Sequence, residues 1–212
     1  MQRDFDEPEG KFAVIPNAGK EFPPLPVERV PGRVLYVGRL MRYKGLNHVF
    51  AALSVLKKQG KQFEMRVVGT GPEEAALRQK ATDLGIADRV IWLGDINETA
   101  LNREYRSAAL LVLLSGAEAY GLTVAEALSV GTPCLVAEKA ALTEFLGEPG
   151  VFGVPYPPDP AQTAPLIDQI IASPGSIQVG PFTDKISTWP KVAENYLQVY
   201  ASALDSWNRR LD

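Results

Sequence analysis

Short apolar runs alternate with segments of helical spacing along most of the chain. RVLYVG, Arg33 to Gly38, is a β-rich run ended by Gly. Leu46, Val49, Phe50, Leu53 and Leu56 then fall at helical spacing and stop at Gly60. FEMRVVG, Phe63 to Gly69, predicts a second strand, and Glu73 to Gly85 a helix closed by a C-terminal glycine. VIWLG, Val90 to Gly94, is a third strand, after which Asn97 can cap a helix reaching Ser107. LLVLL, Leu110 to Leu114, is apolar on both faces, as a central parallel strand should be. A helix over 122–130 leads to PCLVA, Pro133 to Ala137. VFGV, Val151 to Val154, fits a sixth strand. Asp159 to Ser173 fits a helix with Pro165 in its first turns or at a kink.

Strands alternating with helices of about 10–15 residues predict βαβ units, and therefore an α/β doubly wound parallel sheet of Rossmann-like kind. Residues 1–31 are polar and proline-rich and read as a linker or arm. Residues 32–173 form the predicted sheet domain. Residues 174–212 give an irregular segment, Gly175 to Ser187, and a long C-terminal helix. Trp189, Val192, Ala193, Tyr196, Tyr200, Ala203 and Trp207 make one apolar stripe on that helix, which predicts packing.

Composition narrows the class of protein. The 212 residues are 46% hydrophobic and 22% charged, and a chain of this size needs no disulfide or metal to hold its core. The net charge of −3 argues against duplex nucleic acid as the main partner. The longest apolar run, Ala108 to Leu114, is far short of the roughly 18 residues of a spanning helix. Met1 to Lys11 is charged and lacks the apolar centre of a signal peptide, so no leader is expected. Cys134 is the single cysteine, which makes a reducing, cytoplasmic setting the expectation.

In doubly wound sheets, ligands bind beyond the carboxyl ends of the strands, so the loops there are the candidates. GRLMRYKG, Gly38 to Gly45, puts Arg39 and Lys44 just past a strand. The pair would clamp a diphosphate, Arg as a fork and Lys as a point charge, or it is two solvated charges beside a turn. GTGPEE from Gly69 begins like a dinucleotide fingerprint, but Glu74 occupies the third glycine position and would repel phosphate. A tight turn and helix start is the better reading. In SGAEAYGLTVAEAL, Glu118 follows the most apolar strand, and Gly121, Leu122 and Thr123 open a helix whose first amides can hold an anion. Glu126 follows eight residues after Glu118, flanked by Ala125, Ala127 and Leu128, and so is expected half-buried. Carboxylates placed there suit sugar hydroxyls, two of which one carboxylate accepts well; the alternative is a solvated Glu118 and a helix-terminus Glu126. His48 reads as a surface or core-edge histidine and Cys134 as a buried, inert thiol. No Cys/His cluster has metal-ligand spacing.

Together these loops resemble the C-terminal, nucleotide-sugar-binding domain of the group 1 (family 4-like) retaining glycosyltransferases, whose two-domain architecture is the GT-B fold. VIPNAG, LYVGRLMRYKG, VVGTGPE, VIWLGDI, YRSAALLVLLSGAEAYGLTVAEALSVGTPCLVA and WPKVAENYLQVY carry the resemblance over most of the chain. The Glu118/Glu126 pair is its most specific element. The resemblance implies a nucleoside-diphosphate sugar, UDP- or GDP-linked, as donor substrate. Gly38, Arg39 and Lys44 would hold its diphosphate, Glu118 the sugar hydroxyls and Glu126 the ribose. Gly121, Leu122 and Thr123 would offer amides to phosphate or sugar. Glu118, Arg39 and Lys44 would be the catalytic residues, with no metal and no further cofactor.

The chain departs from the family pattern in two places. Ala18 stands where the family usually has Gly, and Glu138 to Glu144, EKAALTE, replaces a Gly-rich stretch ending in Pro-Glu. VIPNAG resembles an interdomain linker, so an N-terminal acceptor domain is expected in the same or another chain, along with any membrane association. By itself the chain is expected to bind donor and to turn over poorly or not at all. The alternatives are a sugar-nucleotide epimerase of the same fold, or a binding module that has lost its chemistry.

Overall fold

The computed structural model describes residues 12–15, 17–20, 22–179 and 189–208. The expectation for Met1 to Lys11, and the part of the irregular segment beyond residue 179, lie outside them. The chain divides into two compact units, Glu21–Pro181 and a second made of Met1–Lys20 with Phe182–Asp212.

The first unit is built on a six-stranded sheet: β1 (Val30–Val37), β2 (Glu64–Val68), β3 (Val90–Gly94), β4 (Ala108–Leu113), β5 (Cys134–Ala137) and β6 (Val151–Val154). Their spatial order is β3-β2-β1-β4-β5-β6, and every pair is parallel. The crossovers carry α1 (Leu46–Lys58), α2 (Glu74–Asp83), α3 (Glu98–Ser107) and α4 (Leu122–Ser129), and α5 (Pro160–Ala172) follows β6. This is the doubly wound arrangement expected from the alternation of strand and helix patterns. Every residue of β4 is buried, because helices cover both faces of a central parallel strand.

The caps follow from side-chain chemistry. Asn97 Oδ1 accepts a hydrogen bond from the Ala100 amide at 2.9 Å and so starts α3. Asp159 Oδ1 does the same for the Ala161 amide, and Pro160 fills the first position of α5, where an N–H has no helical partner anyway. Pro165 lies inside that helix, which runs on to Ala172 and buries Ile167, Ile170 and Ile171. Between β5 and β6, Ala140–Phe145 winds into a 3-10 segment where the sequence pattern gave only a loop.

In the second unit, α6 (Trp189–Asn208) is the expected long helix. Its apolar stripe is not packed as expected. Val192 is buried, whereas Trp189, Tyr196, Tyr200 and Trp207 are exposed, between 46% and 64%. The reason is general: amphipathic spacing says which face seeks burial and nothing about what covers it.

Candidate functional site

The sequence order of the strands reverses between β1 and β4, and the crevice outside such a switch point is where doubly wound sheets hold ligands. Two loops flank it: Gly38 to Gly45 after β1, and Leu114 to Gly121 after β4.

These loops are fastened to each other through backbone. The Gly116 amide donates to the Tyr43 carbonyl at 2.8 Å, and Ser115 Oγ donates to the same oxygen at 3.0 Å. Gly45 sits at φ +76°, and a Cβ there would overlap the carbonyl oxygen of Leu114. Only glycine meets both conditions. Lys44, one residue before it, is thereby carried to the switch point. Its Nζ lies 2.6 Å from Glu118 Oε1 and donates to it. The two side chains are 20% and 9% exposed, so the pair is half-desolvated and stronger than an open surface pair.

Arg39 takes a different course. Its side chain is exposed and lines a cleft of about 460 Å3 with Gly38, Thr70, Gly71, Asp95 and Ile96, at the carboxyl ends of β1, β2 and β3. Its carbonyl accepts a hydrogen bond from the buried Tyr36 hydroxyl at 3.1 Å, which fixes the backbone. The GTGP loop supports this wall. The Gly38 amide donates to Val68 O and the Leu40 amide to Thr70 O, at 3.0 and 2.9 Å. A Cβ at Gly69 would overlap the Gly38 carbonyl, and one at Gly71 the Leu40 carbonyl. These two glycines admit a neighbouring backbone. Glu74 pairs with Arg78 one turn on, at 2.8 Å.

On the β4 side, Gly121 caps α4 at φ +96°. The first amides of α4, at Leu122 and Thr123, have no carbonyl ahead of them in the helix and face outward along its axis. Glu126 follows one turn later and is half-buried, as its apolar neighbours suggested. Its Oε2 accepts a hydrogen bond from the Tyr105 hydroxyl at 2.7 Å. Tyr105 had no sequence signal: it lies in the last turn of α3, 21 residues from Glu126 along the chain, and only the fold joins them. Burial, then the Glu126 charge, pushes the Tyr105 phenol well above its ordinary value, so it stays a hydrogen-bond donor.

The altered segment Glu138 to Glu144 lies directly against this loop. The Ala141 amide approaches the Glu118 carbonyl at 3.5 Å, and Phe145 meets Tyr120 edge to face, with centroids 6.0 Å apart. Leu142 and Phe145 also close over Gly121. Ala140 takes φ +54°, a left-handed conformation that glycine adopts without strain.

His48 is half-buried near Tyr156, with ring centroids 6.1 Å apart, and burial lowers its pKa. Cys134 is fully buried and its thiol pKa is pushed up by desolvation. Among the described residues, no group of His, Cys, Asp and Glu is placed to hold a metal, and no helix is long and apolar enough to cross a membrane.

Fold and site define a class: a doubly wound α/β domain in which Lys44 meets Glu118 at the switch-point crevice, with Arg39 in the neighbouring cleft. The family model described as glycosyl transferases group 1 matches residues 20–178, and the chain belongs to that family. It is 32% identical over 187 residues to a D-inositol 3-phosphate glycosyltransferase of Acidothermus cellulolyticus, covering 81% of this chain and 41% of that protein. Among solved structures, it is similar to sucrose-phosphate synthase from Thermosynechococcus elongatus, with a TM-score of 0.71 and 26% identity over 83% of this chain and 46% of that one. It shares its fold with an Anabaena chain solved with UDP and glucose, with a TM-score of 0.65 and 23% identity over 83% of this chain and 48% of that one. The chain spans less than half the length of the curated relatives it matches. The sheet is thus that of GT-B C-terminal domains.

Proposed function

We propose that this chain is the donor-binding half of a glycosyltransferase and that it holds a nucleoside-diphosphate sugar across the switch point. The observation that carries the reading is the Lys44–Glu118 contact of 2.6 Å at the ends of two adjacent central strands. A cation and a carboxylate that meet there match the two ends of one ligand, an anionic diphosphate and a hydroxyl-rich sugar. In this reading Lys44 and Arg39 take the phosphates, with the Leu122 and Thr123 amides adding dipoles of the right sign. Glu118 accepts sugar hydroxyls and Glu126 accepts ribose hydroxyls, since a carboxylate repels phosphate but accepts O–H well.

The chemistry such a site performs is electrostatic. As the glycosidic bond to the diphosphate breaks, negative charge grows on the leaving oxygen, and fixed cations and amides stabilise it without reorganising. The sugar passes to an acceptor hydroxyl, and the reading includes retention at the anomeric carbon. The acceptor would be held by a second, N-terminal GT-B domain, in the same or another chain. The UDP of the fold relative with glucose is the reason to try uridine nucleotides first.

Calorimetry tests this directly. UDP or GDP should bind at least about tenfold tighter than its monophosphate, because the second phosphate brings a charge-assisted contact. Equal affinities for diphosphate and monophosphate would remove the clamp.

A further inference from the structure

Tyr105 is among the largest fully buried side chains of the protein, and it is a phenol. A buried hydroxyl without a partner is costly, so where it points is informative. It points at Glu126, donating to Oε2 at 2.7 Å. The rest of the tyrosine is held on three sides. Its carbonyl accepts from Thr132 Oγ1 at 2.7 Å. Its ring lies tilted against Phe22, with centroids 5.6 Å apart. Its backbone closes the last turn of α3, just before the fully buried β4. Glu126 projects from a short helix on several rotatable bonds, so its orientation is set by the groups that contact it.

We propose that Tyr105 is a positioning residue for Glu126: its anchored hydroxyl sets the carboxylate at the orientation in which it accepts the ribose hydroxyls, so Tyr105 sets the preference for ribo- over deoxyribonucleotides. The inference rests on the donor reading above, in which Glu126 meets the ribose. An oriented carboxylate loses less freedom when a hydroxyl binds, and hydrogen-bond geometry is angle-dependent. Removal of the phenol oxygen leaves the ring and its packing intact, so the expected loss falls on ribose selection and not on the fold. The phenol stays protonated across the physiological range, so it serves as donor at any working pH.

The test uses the 212-residue chain and calorimetric titration with UDP and 2′-deoxy-UDP, and with GDP and 2′-deoxy-GDP. The parent chain is expected to prefer the ribonucleotide by at least about tenfold, the worth of one charge-assisted bond. Glu126→Gln should remove most of that ratio. Tyr105→Phe should lower it by about threefold to tenfold, through the ribonucleotide arm. If Tyr105→Phe does not fold, Glu126→Asp keeps the charge and withdraws it by one methylene; the same fall in ratio is expected. A parental ratio in either variant overturns the positioning role, as does equal weakening of both nucleotides, which marks a merely structural part. A separate pattern overturns the ribose reading itself: no ribonucleotide preference in the parent chain, or a full preference in Glu126→Gln. Absence of any nucleotide binding by the parent chain overturns the donor site and the inference together.

Discussion

Lys44 Nζ lies 2.6 Å from Glu118 Oε1, although 74 residues separate them. The contact exists because β1 and β4 are neighbours at the switch point and because Gly45 lets the two loops touch through backbone. In the proposed function each member of the pair has a different ligand partner, so the two should respond to substitution in opposite ways.

Lys44→Ala is expected to weaken UDP or GDP binding by about 1.5–3 kcal/mol, the usual worth of a charge-assisted hydrogen bond. Titration calorimetry gives the number. A dissociation constant equal to the parent's would take Lys44 out of the site.

Glu118→Gln frees Lys44 from its carboxylate. UDP should then bind as tightly as before or up to about tenfold tighter, while the added affinity of UDP-glucose over UDP disappears. A loss of UDP binding as large as that of Lys44→Ala would contradict the division of labour. In a complete transferase assembly, the same substitution should depress turnover far more than it raises KM.

Gly45→Ala must place a methyl group on the Leu114 carbonyl at a left-handed φ of +76°. Gly60→Ala has nearly the same φ, +75°, and nothing within 4 Å of the new Cβ. Chemical denaturation should therefore show about 1–2 kcal/mol lost at Gly60, from backbone strain alone, and clearly more at Gly45. Equal losses would mean that the loop–loop contact yields readily. Lys44 would also be displaced, so diphosphate binding should fall in Gly45→Ala and persist in Gly60→Ala.

Ala140 holds φ +54° where a glycine would be relaxed. Ala140→Gly is expected to raise stability by about 0.5–1 kcal/mol, with strain relief exceeding the entropy that glycine adds to the unfolded chain. A lower thermal midpoint would show that the Ala140 methyl has packing value greater than its strain. Because this segment touches the Glu118 loop, the variant also reports whether segment stiffness affects sugar-nucleotide affinity.

Alkaline pH should unfold the protein. Tyr105 is held well above the ordinary phenol value of 10.0, by burial first and Glu126 second. Tyr36 is raised too, by burial and then by Glu118. Above about pH 10 the unfolded chain gives up these protons and the folded chain keeps them, so the native state binds more protons and stability falls as pH rises. Below about pH 10 the contribution is fully present. Urea midpoints at about pH 8 and about pH 11 should show the decline, and Tyr105→Phe should make it shallower. An unchanged slope would mean that Tyr105 titrates normally. Cys134, fully buried, should resist thiol reagents until the same transition.

Much of this molecule is legible along the chain, because local spacing reports which faces are apolar. The alternation of short apolar runs with helical patterns implied a parallel sheet, and LLVLL, apolar on both sides, implied its centre. Asn97 announced a helix start through its own capping chemistry, whereas the cap by Asp159 is seen only in the structure. Glu118 and Glu126 stood out as carboxylates in a loop and helix start that otherwise carry small and apolar residues. Tertiary structure alone decided the rest. That β1 lies beside β4, so that Lys44 reaches Glu118, depends on pairing between distant segments, which no local period encodes. Arg39 and Lys44 share one loop in sequence, yet Arg39 lines the cleft beyond β1, β2 and β3 while Lys44 turns to β4. No local pattern marks Tyr105; packing alone sets its hydroxyl against Glu126. The apolar stripe of α6 was visible in the sequence, and its exposure was not, since a periodic pattern fixes the face and only the fold supplies the surface that meets it.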